Sequence, residues 1–210
     1  MLKKRIAVLV SGGGTNLQAI LDAEKSGVIN SGKTVLVISN VEGAYALRRA
    51  ESHGVKTAVI LKKECGGQGP FEDKLSETLE AENIDLIVLA GFMSILSEAF
   101  TKRHDGKIIN VHPSLIPSFC GKGFYGLRVH EAALEYGVKV TGATVHFVNE
   151  IPDGGEIIMQ KAVEVLPDDT PETLQRRVME QAEWVILPQA IEYICSGRHI
   201  QTHQSERKMA

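Results

Sequence analysis

Asn110 and His112 stand two residues apart in Ile109-Asn110-Val111-His112-Pro113-Ser114-Leu115-Ile116-Pro117, at the end of an apolar run. If that run is a strand, alternate side chains share a side, so the carboxamide and the imidazole face one substrate. An asparagine donates to a developing oxyanion, and a histidine gives or takes a proton near neutral pH. Alone, the pair also reads as an asparagine capping a loop and a surface histidine. Asp153, in the turn Ile151-Pro152-Asp153-Gly154-Gly155, is a third candidate. It needs no function as a turn-former, but beside His112 its charge would favour the imidazolium.

A second chemical feature lies near the N-terminus, where Ser11-Gly12-Gly13-Gly14-Thr15-Asn16 separates the run Ile6–Val10 from a helical pattern. Glycines at a strand-to-helix junction allow a sharp turn and leave amide N–H groups facing outward, where the helix dipole favours an anion. The spacing is neither GxGxxG nor a loop ending in GK[ST], so dinucleotide and P-loop readings are weak. A single phosphate fits better, with Thr15 adding a hydroxyl and Asn16 an amide; a plain tight turn is the alternative.

These residues need a scaffold, and the hydropathy pattern supplies one. Ile6–Val10, Val35–Ile38, Ala58–Leu61, Leu86–Ala90 and Ile108–Val111 read as strands. Between them, Leu17, Ile20 and Leu21 share a helix face, as do Phe71, Leu75 and Leu79. Such alternation predicts an α/β, doubly wound, mostly parallel sheet in the first half, whose strand ends are where ligands bind. Thr141–Val148 alternates, and Ile157–Val165 follows a turn, so the C-terminal half is expected to add antiparallel strands. A last helix starts near Pro171, with Thr170 as N-cap and Leu174, Val178, Val185 and Ile191 on it. The expectation is one domain over 1–196, with a half 1–105 that carries the glycine loop, a half 106–196 that carries Asn110, His112 and Asp153, and a polar tail 197–210.

Composition narrows the class. With 210 residues, 43% of them hydrophobic, the chain can bury a core without disulfides or metal. A formal net charge of −3 argues against a dedicated nucleic-acid binder. Cys65, Cys120 and Cys195 form no CxxC pair, which suits a reducing cytoplasm. Lys3, Lys4 and Arg5 precede an apolar run shorter than the roughly 7 residues of a signal-peptide core, and no run reaches membrane-spanning length. His199 and His203 have i, i+4 spacing in a polar tail without a carboxylate motif, so no metal site is expected.

Several segments in order then carry a resemblance over essentially the whole chain: SGGGTNLQAI at the start, LAGFMSIL at Leu89–Leu96, INVHPSLIP at Ile109–Pro117, HEA at His130–Ala132, TGATVHFV at Thr141–Val148 and DGG at Asp153–Gly155. Together they resemble the phosphoribosylglycinamide formyltransferase family. The HPSLIP-type segment alone marks a wider group of formyl transferases and deformylases. Methionyl-tRNA formyltransferases carry an additional C-terminal domain and formyltetrahydrofolate deformylases an N-terminal one, for which this length leaves no room.

The resemblance implies transfer of a formyl group from 10-formyltetrahydrofolate to glycinamide ribonucleotide, without metal, in purine biosynthesis. It implies that Gly13, Gly14, Thr15 and Asn16 bind the substrate's phosphate, with Glu183 also touching that substrate. It places folate against the backbone of Met93, Ser94, Ile95 and Leu96, beside Asn110 and the loop leading to Asp153. Asn110 would hold the oxyanion, and His112 would protonate the departing folate nitrogen. Asp153 would raise the His112 pKa and help relay the proton of the attacking amine. His146 is expected to be a structural histidine. Three departures stand out: Ser94 where many members have Arg, Gln68 where relatives often place an Arg that binds the cofactor, and a long glycine-flanked loop Phe119–Tyr125. That loop is expected to act as a lid, with Lys122 touching an anionic ligand. The competing readings are a sugar-nucleotide or other folate-dependent N-formyltransferase, and a non-catalytic nucleotide- or folate-binding module. Oligomeric state is open.

Overall fold

A computed structural model describes residues 2–199. Seven strands form one sheet in the order β3-β2-β1-β4-β5-β6-β7, namely β1 (Lys4–Val10), β2 (Gly32–Ser39), β3 (Lys56–Val59), β4 (Leu86–Leu89), β5 (Ile108–His112), β6 (Val140–Phe147) and β7 (Ile157–Glu164). The first five run parallel, and β6 and β7 are antiparallel, as the alternation of Thr141–Val148 predicts. β5 extends through His112, one residue further than the apolar run, so the imidazole belongs to the strand.

The helices are α1 (Thr15–Ser26), α2 (Tyr45–Ser52), α3 (Lys62–Cys65), α4 (Gln68–Ala81), α5 (Glu98–Arg103), α6 (Leu127–Tyr136), α7 (Pro171–Val178) and α8 (Trp184–Cys195). β1 shows why two helix layers are needed. Ile6, Val8 and Val10 face α1, α7 and α8, while Ala7 and Leu9 face the side where Phe71, Leu75 and Leu79 of α4 pack. A strand buried on both faces must be apolar throughout, and this one is.

The C-terminal helix departs from expectation. The pattern from Pro171 reads as one helix, but a π-helical turn at Met179–Glu183 separates α7 from α8. The turn shifts the helix register so that Glu183 points inward, where it is only 6% exposed. Thr170 is the N-cap, as expected, and Thr173 closes a capping box with it. Of the tail, residues 200–210, His203 among them, lie outside the described residues.

Candidate active site

The β5–β6 register assembles the site. Asn110 pairs with His146 and His112 with Thr144 across the antiparallel ladder, so facing side chains share one side of the sheet. Thr144 Oγ1 donates to the Ser114 carbonyl at 2.7 Å and accepts from Ile116 N at 3.1 Å, bracing the segment after His112. Asp153 arrives from the opposite chain direction with φ 56°. Its turn folds so close to β6 that a Cβ on Gly155 would lie 1.7 Å from the Phe147 carbonyl oxygen. Only glycine allows that approach.

Asp153 stands among three side chains. Its Oδ2 is 3.5 Å from His112 Nδ1, and its Oδ1 is 3.6 Å from His146 Nε2 and 3.5 Å from Asn110 Nδ2. His112 Nε2 donates to the Phe119 carbonyl at 2.8 Å, which assigns the ring proton to Nε2 and leaves Nδ1 to face the carboxylate. His146 has the reverse tautomer: Nδ1 donates to the Phe147 carbonyl at 2.8 Å, and Nε2 accepts from Asn110 Nδ2 at 3.2 Å. The Gly121 N–H donates to Asp153 Oδ2 at 2.8 Å. The loop expected as a lid is therefore bonded to both members of the His–Asp pair.

Asp153 acts upward on His112 as expected, yet the net shift is downward. Burial lowers the His112 pKa, and this outweighs Asp153 and the Phe119 carbonyl, which act upward; His146 adds to the fall. Asp153 does push in the expected direction, but a ring only 4% exposed loses more hydration than one carboxylate restores. His112 is neutral at pH 7. For Asp153, burial acts upward, and His146, His112 and the Gly121 N–H outweigh it, holding the carboxylate below its ordinary 3.8. Behind them, His130 on α6 is fully buried with neither ring nitrogen bonded among the described residues, and burial, then His112, lowers its pKa to about 4.

A cavity of about 140 Å³ opens beside this cluster, walled by Phe92, Ser94, Ile95 and Leu96 on one side and by Asn110, His146 and Ile151–Asp153 on the other. Ser94, Ile95 and Leu96 of the expected folate segment thus share one cavity with Asn110 and Asp153, while His112 stands behind Asp153. Met93 faces a neighbouring hollow with Lys62 and Gln68. Met93 and Ile95 are 56% and 68% exposed, whereas Leu96 joins the core. Ser94 has its own anchor: Asn40 Nδ2 donates to its Oγ at 2.9 Å, Ser11 Oγ donates to Asn40 Oδ1 at 2.6 Å, and Met93 N donates back to Ser11 Oγ at 2.8 Å. Gln68 Nε2 donates to the Ile95 carbonyl at 3.0 Å and to Glu72.

The glycine loop lies at the carboxyl end of β1, and α1 begins at Thr15 with Gly14 in the left-handed region at φ 72°. Asn16 Nδ2 donates to Glu183 Oε2 at 2.7 Å, so two residues assigned to one substrate meet across 167 positions of chain. Glu183 is no solvated helix carboxylate. Burial raises its pKa to about 7 although the Asn16 bond acts downward. The Asn16 Oδ1 is buried without a partner among the described residues. Thr15 Oγ1 is 3.9 Å from Met179 Sδ, which brings the π-helical turn against the loop.

The Formyl transferase family model matches residues 4–191. The chain belongs to the formyl transferase family. It is 45% identical over 195 residues to phosphoribosylglycinamide formyltransferase of Haemophilus influenzae, covering 93% of this chain and 89% of that protein. It is 47% identical to the trifunctional purine biosynthetic protein adenosine-3 of Gallus gallus, of which it spans only 19%. Glycinamide ribonucleotide transformylase 1 from Symbiobacterium toebii superposes with a TM-score of 0.87 at 43% identity, covering 93% of this chain and 89% of that one.

In this formyl transferase the structure brings Asn110, His112 and Asp153 together, and separately Asn16 and Glu183. His146, expected to be a structural histidine, has both ring nitrogens paired and stands inside the cluster. The signal was its place in an alternating strand, on the same side as Thr144, but only the β5–β6 register sets it opposite Asn110. Ser11 and Asn40 carried no sequence signal, because each looks like an ordinary polar residue ending a strand.

Proposed function

We infer that the chain transfers the formyl group of 10-formyltetrahydrofolate to the amine of glycinamide ribonucleotide, a step of purine biosynthesis. The observation that carries the site assignment is that Asn110 and Asp153 line the cavity bounded by Ser94–Leu96, with His112 directly behind Asp153 at 3.5 Å. Folate occupies that cavity, with its formyl carbon beside Asn110. The ribonucleotide lies between this point and the glycine loop, its phosphate on Gly13, Gly14, Thr15 and Asn16 and its sugar side near Glu183.

The geometry supports a specific proton path. His112 is neutral and commits Nε2 to Phe119, so Nδ1 is the atom that exchanges a proton. The substrate amine attacks the formyl carbon, and the new C–N bond places negative charge on the formyl oxygen. Asn110 Nδ2 keeps one hydrogen on His146 and offers the other, aimed along the longer contact to Asp153, to that oxygen. His112 Nδ1 takes the proton the amine releases and returns it to the folate nitrogen as the old C–N bond breaks, which leaves the ring neutral for the next turnover. Asp153 stabilises the transient imidazolium. The unpaired Cys65, Cys120 and Cys195 fit a cytoplasmic setting, and no helix among the described residues is long and apolar enough to cross a membrane.

The test is a turnover assay with 10-formyltetrahydrofolate and three acceptors: glycinamide ribonucleotide, an amino-sugar nucleotide, and water. Formylation of the ribonucleotide alone is expected. Preference for the sugar nucleotide, or simple hydrolysis, would replace this reading, and folate binding without turnover would make the chain a binding module.

A further inference from the structure

Both peptide units within the glycine triplet turn their carbonyls toward α2. The Gly12 carbonyl accepts from Ala46 N at 3.0 Å, and the Gly13 carbonyl accepts from Arg49 Nε at 2.8 Å. These peptides are trans, so each carbonyl and the N–H that follows it point in opposite directions. The Gly13 and Gly14 N–H groups are therefore turned away from α2, side by side, as in the backbone nests that hold anions. A Cβ on Gly14 would lie 2.6 Å from Ala46 Cβ, while none on Gly12 or Gly13 would meet anything within 4 Å. The loop is thus pressed on α2 at one point and uncrowded elsewhere.

Of the two anchors, one is a backbone amide and the other a side chain. Among the described residues, the Arg49 guanidinium has only uncharged polar partners: the Gly13 carbonyl, the Gln18 Oε1 at 3.1 Å, and the Tyr45 ring at 5.0 Å from its centroid. Gln18 in turn donates to Asp22 at 3.0 Å, so the carboxylate is reached only through a neutral relay. The cation is held against the loop by geometry, with no ion pair among the described residues, and a positive charge so placed acts on an anion seated in the nest.

We propose that Arg49 is the positioning residue of the phosphate site: it holds the Gly13 carbonyl so that the Gly14 N–H faces the substrate's phosphate, and it supplies the cation behind that site. This rests on the reading that the loop receives the phosphate of glycinamide ribonucleotide. A lysine keeps the charge but lacks the planar fork that reaches Gly13 and Gln18 together.

The experiment compares wild type, Arg49→Met and Arg49→Lys on glycinamide ribonucleotide and on the corresponding riboside without phosphate, alongside calorimetric titration with inorganic phosphate. Arg49→Met should raise KM for the ribonucleotide roughly ten-fold or more, in keeping with loss of a contact to a charged group. It should leave kcat within about two-fold, KM for folate unchanged and kcat/KM for the riboside unchanged, so that preference for the phosphorylated substrate shrinks. Arg49→Lys should fall between the two. An equal loss on nucleotide and riboside, or an unchanged KM, overturns the proposal. If Arg49→Met does not fold, an undiminished preference in Arg49→Lys overturns it as well. Should the wild type fail to formylate the ribonucleotide, the proposed function falls while the phosphate titration still decides here. Phosphate binding weakened by either substitution supports the role of Arg49, and binding unchanged, or absent in wild type, refutes it.

Discussion

His112 Nδ1 faces Asp153 Oδ2 across 3.5 Å while the opposite ring nitrogen is tied to the Phe119 carbonyl. The pair is thus arranged for a proton that comes and goes at Nδ1. Because burial holds the His112 pKa below its ordinary 6.5 and the ring works from its neutral form, kcat should be flat around pH 7 and fall only at lower pH. Asp153→Asn removes the charge that acts upward on His112, so it should lower kcat and move the acid limb to still lower pH. Rate profiles of both proteins from pH 4.5 to 9 check this. An acid limb moved upward in the variant would contradict it.

His112→Ala should reduce turnover by at least about 100-fold with ligand affinities little changed, since general acid–base catalysis contributes roughly 10²–10⁴. Steady-state kinetics with calorimetric titration of each ligand separates the two quantities. Near-normal turnover would remove His112 from the proton path.

His146→Ala should act through Asn110. It deletes the acceptor at 3.2 Å that orients the carboxamide, and one hydrogen bond is worth about 0.5–1.5 kcal/mol. A loss of roughly 3- to 10-fold in kcat is expected, with KM for both substrates preserved. A larger rise in KM than fall in kcat would make His146 a binding residue.

Gly155→Ala should disable the enzyme by moving Asp153. The new methyl would sit 1.7 Å from the Phe147 carbonyl oxygen, so the turn must shift. A cost of about 1–3 kcal/mol in stability is expected for such overpacking, with a larger proportional loss of kcat. Gly69→Ala, in α4 with nothing within 4 Å of its Cβ, is the control and should leave both intact. Thermal melts and kcat for the two variants give the comparison.

Glu183 should make stability depend on pH. Its folded pKa, about 7, lies above its ordinary 4.5. Between those values the folded protein keeps a proton that the unfolded chain has released, so this contribution is complete below about 4.5 and lost as pH rises through 7. Glu183→Gln should therefore gain on wild type with rising pH, by roughly a few kcal/mol between pH 5 and 8. Urea unfolding at a series of pH values measures it; a constant difference would mean that Glu183 is ionised throughout.

What was legible in the residues was whatever periodicity and local geometry can report. Ile6–Val10 with its glycines implies a buried strand turning into α1, and Phe71, Leu75 and Leu79 imply one face of α4. Asn110 and His112 at alternate positions imply a shared side, and the structure has them there. Strand ends shifted by a residue or two, as at β3 and β6, because terminal ladder bonds depend on the neighbouring strand. The tertiary structure alone decided the rest, for one physical reason: desolvation, register and close approach are sums over residues far apart in the chain. Asp153 could be seen to favour a charged His112, but the opposing burial comes from elements gathered around the ring. His146 entered the cluster through the β5–β6 pairing, Glu183 was buried by a π-helical turn in an apparently regular helix, and Arg49 reached the glycine loop because α2 packs against Gly14.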